Sequence, residues 1–98
     1  MLEVEQVFNS YGRVKVMSVI MKSEELNISE ITRRAGISHS SVALHLDFLV
    51  KAGLLTEKRF NRIRIFRVDY ANPFVDALSR LFSEWKSLNE SPIRRRLS

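Results

Sequence analysis

The feature that most constrains this chain is a three-residue turn, Gly36-Ile37-Ser38, set between two short amphipathic runs. Glycine takes the left-handed conformation that ends a helix, and serine caps the next one by accepting from the free amides of its first turn. Ile37 is placed to plug the space between the two. The preceding run is predicted helical from a cap at Ser29 through Ala35, burying Ile31 and Ala35 and exposing Arg33 and Arg34. The following run, His39 to Ala52, stops at Gly53 and turns Val42, Leu46, Leu49 and Val50 inward, with His45 beside them.

The flanking segments complete the layout. The first ~23 residues read as helix in two pieces. Leu2, Val4, Val7 and Phe8 form a leading segment; after a cap at Ser10, Tyr11, Val14, Met17, Ile20 and Met21 recur at helical spacing, widened by Val16 and Val19. Leu26-Asn27-Ile28 is too short for a helix and is predicted to be a small strand. Leu54 to Phe60 and Ile63 to Val68 are predicted strands around a tight turn at Asn61-Arg62. Asparagine tolerates positive φ, whereas arginine in the second turn position suggests a bulged turn or strain. Phe66 and Val68 are assigned to the core, and Ile63 and Ile65 are left unassigned. Asn72-Pro73 opens the last helix, where Phe74, Leu78, Leu81, Trp85 and Leu88 follow a coiled-coil seam widened by Val75 and Phe82.

Helix, tight turn, helix and basic hairpin make a winged helix-turn-helix. The expected fold class is mainly α with a small β-hairpin (α+β), closed by a C-terminal dimerisation helix. Residues 1–90 are expected to form one domain, with that helix over 72–89; residues 91–98, carrying Pro92 and Arg94 to Arg96, are expected to be a basic disordered tail.

The net charge of +5 matters less than its distribution. Between Arg33 and Arg67, eight Lys or Arg stand against two acids, Asp47 and Glu57, whereas the rest of the chain holds eight basic and nine acidic groups. A basic excess confined to the helix-turn-helix and hairpin is the footprint of a nucleic-acid face. With no cysteine, a disulfide framework and a thiolate metal site are excluded. No apolar run approaches the ~18 residues of a membrane span. No signal peptide is read, so a cytoplasmic location and no membrane partner are expected. Paired carboxylates, an activated nucleophile and a glycine-rich phosphate loop are all missing, so the expectation is no enzyme, no catalytic residue and no cofactor.

The run ITRRAGISHSSVALHLDFLVKAGLL, Ile31 to Leu55, resembles the winged helix-turn-helix of the ArsR and MarR superfamilies, in the small forms common in archaea. Ser38, Ser40-Ser41, Val42, His45-Leu46, Leu49 and Ala52-Gly53-Leu54 carry the resemblance, and Glu57 to Val68 is similar to the family wing. It implies a transcription regulator that binds double-stranded DNA. A repressor is expected because nothing in the chain suggests an activating surface. A homodimer is expected because the apolar stripe of the last helix exceeds what its own core absorbs. Two departures count. His39 and His45 lie six residues apart on one helix and do not face each other, so no metal site is expected. The longer arms between which MarR-type proteins hold effectors are missing, so a small-molecule effector is not supported.

In that reading the second helix (38–52) enters the major groove. Backbone amides at Ser38 to Ser40 face a phosphate, while His39, Ser40, Ala43, Leu44 and Asp47 turn towards the bases, with Ser41 beside them. The set holds no arginine for guanine and no Asn or Gln for adenine, so direct readout is expected to be modest. Affinity is expected from the wing (58–67), through Lys58, Arg59, Asn61, Arg62 and Arg64, and from Arg33 and Arg34 on the helix that crosses the backbone. The dimer interface is expected at Phe74, Leu78, Leu81, Phe82, Trp85 and Leu88. Two competing readings remain: an architectural DNA-coating protein with little sequence preference, and a winged helix used for protein–protein contact.

Overall fold

The computed structural model describes residues 2–90; the expected tail, 91–98, lies outside the described residues. Two helices lead, α1 (Val4–Val7) and α2 (Tyr11–Met21), followed by strand β1 (Leu26–Asn27). The helix-turn-helix is α3 (Ile28–Ala35) and α4 (His39–Lys51); β2 (Leu55–Phe60) and β3 (Ile63–Val68) form the wing, and α5 (Pro73–Glu90) closes the chain. The sheet is antiparallel in the order β1-β3-β2.

Local chemistry sets the boundaries. The Ser10 hydroxyl accepts from the Arg13 amide and starts α2. Gly36, at φ 70°, ends α3 in the left-handed region, as the sequence predicted. Helix α4 stops at Gly53, φ 80°, where the amides of Gly53 and Leu54 donate back to the carbonyls of Val50 and Leu49. That pair of bonds satisfies carbonyls the helix leaves open.

The cap of α3 differs from expectation. Asn27, not Ser29, caps it: its side chain accepts from the Glu30 amide at 2.9 Å while the Glu30 carboxylate accepts from the Asn27 amide at 3.2 Å. Because Asn27 is also the last residue of β1, strand runs directly into helix, and Ile28 belongs to the helix rather than the strand. The reciprocal cap satisfies two open amides at once, which a serine two residues on cannot do.

Beneath the sheet and helices lies one core of Val16, Met17, Ile20, Ile31, Val42, Leu46, Leu49, Leu54, Leu55, Phe66 and their neighbours, with no buried polar side chain among the described residues. Tyr11 is not part of it. The α2 stripe rotates so that Val16, Met17, Val19 and Ile20 are buried, while Tyr11 is exposed and Val14 half-buried. Close approach at the start of α2 explains Gly12: a Cβ there would lie 2.9 Å from His45 Nε2 and 3.1 Å from Ile37 Cδ1.

The wing turn carries no bulge. Pairing runs unbroken from Leu55↔Val68 to Phe60↔Ile63, and Asn61 takes the positive φ (58°) that the two-residue turn demands. Phe66 and Val68 are buried as expected; Ile65 is half-buried and Ile63 exposed.

Candidate nucleic-acid interface

The first turn of α4 is held by hydroxyls. Ser38 Oγ accepts from the Ser41 amide at 3.2 Å and donates to Ser41 Oγ at 2.9 Å, with Ser40 Oγ 3.3 Å away. Ser38, His39 and Ser40 are exposed, Ser41 and Ala43 half-buried, and Leu44 is 70% exposed. Leu44 therefore packs on no neighbouring element. Ser40, Ala43, Leu44 and Asp47, three or four residues apart, form one outward stripe on α4.

The wing meets α4 at the foot of that stripe. Arg64 makes a two-pronged ion pair with Glu57, Nε to Oε2 at 2.7 Å and Nη2 to Oε1 at 3.1 Å, and Nη2 also reaches Asp47 Oδ1 at 2.9 Å. Its guanidinium lies 5.1 Å from the centre of the Phe66 ring. The hydrogen bond from Arg64 holds the Glu57 carboxyl below the usual carboxylate range, against the opposing effect of burial. The same bonds, to Glu57 and then Asp47, push the Arg64 guanidinium still further towards its charged form.

Arg64 lies one rung from the hairpin tip, as expected, but its carboxylate partners make it less available as the expected phosphate ligand. It shares the inner face of β3 with Phe66 and Val68, and two carboxylates already occupy it. Asp47, on the exposed stripe of α4, pairs with Arg64. The other cations are more available. Arg59 lies 3.5 Å from Glu57, while Lys58 and Arg67 lean towards Glu25 at 3.2 and 3.7 Å; all three are largely exposed. Asn61 and Arg62 are exposed at the tip, and among the described residues Arg62 makes no ion pair. On α3, Arg33 and Arg34 are exposed, and Arg34 donates to Ser23 Oγ at 3.1 Å.

A link that periodicity does not reveal lies on the other side of α4. Arg13 stacks over the Phe48 ring at 3.8 Å, donates from Nε to His45 Nδ1 at 3.3 Å, and donates from Nη1 to the Gln6 carbonyl at 2.6 Å. It thereby ties α1 and α2 to α4. Burial, and then the Arg13 charge, lower the His45 pKa, which favours the neutral imidazole needed to accept this bond. His45 is thus a packed, bonded side chain, and no sequence signal marks Arg13 because its role depends on which helix α2 meets. Among the described residues no group of three or more His, Cys, Asp or Glu is placed to hold a metal ion.

Along α5 the seam divides. Leu78, expected at a dimer interface, is 8% exposed and belongs to the chain's own core with Val75, close after the point where Asn72 ties the start of α5 to Gly53. Asn72 fixes that junction, accepting from the Phe74 amide and donating to the Gly53 carbonyl at 2.8 Å. Phe74, Leu81, Trp85 and Leu88 remain exposed and Phe82 half-buried. An open groove of about 760 Å³ between α2 and α5 is lined by Phe8, Val14, Met21, Leu81, Phe82 and Trp85 among others.

Residues 10–57 match the family model described as bacterial regulatory protein, arsR family. That stretch of the chain is similar to the helix-turn-helix of the arsR family. The matched segment spans α2 to the first residues of β2, so the turn, the α4 stripe and Glu57 all fall inside it. Nothing among curated protein sequences matches the chain significantly.

Solved structures agree on the fold of the chain. The AntR antimony-specific transcriptional repressor superposes with a TM-score of 0.72 at 18% identity, covering 87% of this chain and 75% of that one. The homodimeric winged helix-turn-helix DNA-binding domain Mb0332 from Mycobacterium bovis gives 0.67 at 17%, covering 88% and 77%. Sso10a-2, a DNA-binding protein from Sulfolobus solfataricus, gives 0.58 at 22%, covering 83% and 87%. The protein is a winged helix-turn-helix DNA-binding transcription regulator rather than an enzyme. No described helix is long and apolar enough to cross a membrane.

Proposed function

We propose that this regulator is a cytoplasmic, homodimeric repressor with a preference for particular double-stranded sites. Helix α4 lies in the major groove and the wing lies along phosphates and the minor groove. The observation that carries the reading is the Arg64–Asp47 contact, which sets the basic wing beside the exposed stripe of α4. Ser38, His39, Ser40, Ser41, Ala43 and Leu44 face the groove, with the first amides of α4 directed at a phosphate. Arg62 and Asn61 at the tip, Lys58 and Arg59 behind them, and Arg33 and Arg34 on α3 supply positive charge. Arg64 positions the wing rather than binding phosphate.

The exposed part of α5 supplies the dimer contact. Phe74, Leu81, Trp85 and Leu88, with Phe82 at their edge, form an apolar surface of a kind that marks association sites. The homodimeric state of Mb0332 and the repressor role of AntR favour the same reading. A two-fold dimer places two α4 helices one DNA turn apart, so the preferred site is a rough palindrome. The residues 1–90 then act as one DNA-binding domain with its own dimerisation helix.

Competition between the gene's upstream region and random duplex at about 150 mM salt tests the reading, with a hundredfold preference expected. With about three phosphates neutralised per subunit, the log–log salt slope of the dimer is roughly −5, and Arg62→Ala reduces it by about 2. A slope and affinity unchanged by Arg62→Ala sink the proposed wing contact. One observation favours a second reading: the α4 stripe carries no arginine, asparagine or glutamine. Equal affinity for both duplexes, with a steep salt slope, assigns the chain to architectural DNA coating.

A further inference from the structure

We propose that the outer face of the wing tip is an apolar wedge for the DNA minor groove: Phe60 and Ile63 enter it together, pack against the sugars and bend the duplex. The inference rests on the DNA-binding reading above and adds a mode of engagement that charge alone does not supply. Side chains alternate between the two faces of the hairpin, and Phe60 pairs directly with Ile63 across its last rung. The inner face ends in Leu55, Phe66 and Val68, all buried, with Glu57 and Arg64 at its rim. The outer face carries Lys58, Phe60, Ile63 and Ile65. Phe60 is 67% exposed and Ile63 49% exposed, so a phenyl ring and a branched chain stand side by side at the tip.

Their own chain leaves this pair uncovered, and the surrounding charge selects the occupant. Arg62 sits in the turn between them, and Arg59 and Lys58 lie immediately behind. A second copy of the chain would bring the same positive charges against these. The minor groove offers the complement, a negative potential lined by the apolar faces of deoxyribose, and apolar side chains wedged there kink DNA towards the major groove. The positive φ of Asn61 keeps the turn to two residues, so the wedge stays narrow. Arg64, one rung from the tip and bonded to Glu57 and Asp47, holds the hairpin against α4, which fixes the wedge relative to the groove that α4 occupies.

The test uses the full chain and an AT-rich duplex of ~30 base pairs with donor and acceptor dyes at its ends, at about 50 mM salt. Binding of the wild type raises the energy transfer. The double variant Phe60→Ser, Ile63→Ser binds about tenfold or more weakly, loses the rise in energy transfer, and keeps the salt slope, since no charge is removed. Phe60→Leu, which restores an apolar tip, retains most of the bend. A double variant that binds within twofold of the wild type and still bends the duplex overturns the wedge and leaves DNA binding standing. A change in sedimentation without a change in DNA affinity also overturns it, by assigning the patch to protein contact. A wild type that binds no duplex removes both readings together.

Discussion

Helices α4 and α5 both carry an apolar face at helical spacing, yet the chain covers one and leaves most of the other open. In α4, Val42, Leu46 and Leu49 are fully enclosed, while Leu44 on the opposite side is exposed. In α5, Val75 and Leu78 are enclosed but Leu81, Trp85 and Leu88 are not. Connectivity explains the difference. Helix α4 lies within the helix-turn-helix, packed by α2, α3 and β2. Helix α5 is pinned at its start by Asn72 on Gly53 and then runs beyond the end of the core, in a molecule 50 Å long and 23 Å across its short axis. Spacing identifies the face that avoids water; the topology decides whether this chain or another covers it.

The largest effect that sharpens the contrast is at Leu46. Leu46→Ala is expected to reduce stability by about 2–5 kcal/mol in urea unfolding, through lost transfer energy and the cavity left behind. Leu88→Ala, an identical truncation on exposed α5, is expected to change the stability of the dilute monomer by less than about 0.5 kcal/mol. Equal losses at the two sites would break the comparison, because α5 would then be covered by its own chain.

Next in size is the effect of removing the open face itself. Leu81→Ala combined with Trp85→Ala is expected to weaken self-association about 30-fold or more in sedimentation equilibrium. Unchanged association would leave the exposed stripe of α5 without the role assigned to it.

A smaller effect probes the joint between α4 and the wing. Glu57 and Arg64 are each about one-fifth exposed, so their pair falls between surface and buried ion pairs. Glu57→Gln is expected to reduce stability by about 1–2 kcal/mol at neutral pH. The Glu57 carboxyl titrates lower in the folded chain than in the unfolded one. Its contribution is therefore complete above the unfolded carboxylate value of about 4.3 and is lost as pH falls through the lower folded value. Urea unfolding at neutral pH and at acid pH should show the gap between wild type and Glu57→Gln closing in acid. A gap that is constant with pH would mean the pair contributes packing rather than charge.

Local chemistry was legible in the residues themselves. Gly36, Ser38, Gly53, Ser10 and Asn72-Pro73 punctuate the fold where their backbone preferences require. The residues alone do not single out Asn27, although its partner Glu30 stands three residues on, because Ser29 offers an equally plausible cap two residues later. Among the candidate contact residues, the exposed stripe of α4 follows from helical spacing. The position of Arg64 does not: a count of basic residues cannot tell which strand face each one occupies, nor that Asp47 waits across the gap. Arg13 was hidden for the same reason, since its three partners lie on α1 and α4.

Element order, the helix-turn-helix, the basic wing and the apolar seam of α5 are all written in the residues, because caps, stops and spacing act over a few residues of backbone. Only packing in three dimensions sets which charges are free and which are bound, which half of α5 serves the core, and which apolar pair remains uncovered at the wing tip. Those outcomes depend on distances between residues far apart in the chain, and periodicity carries no information about such distances.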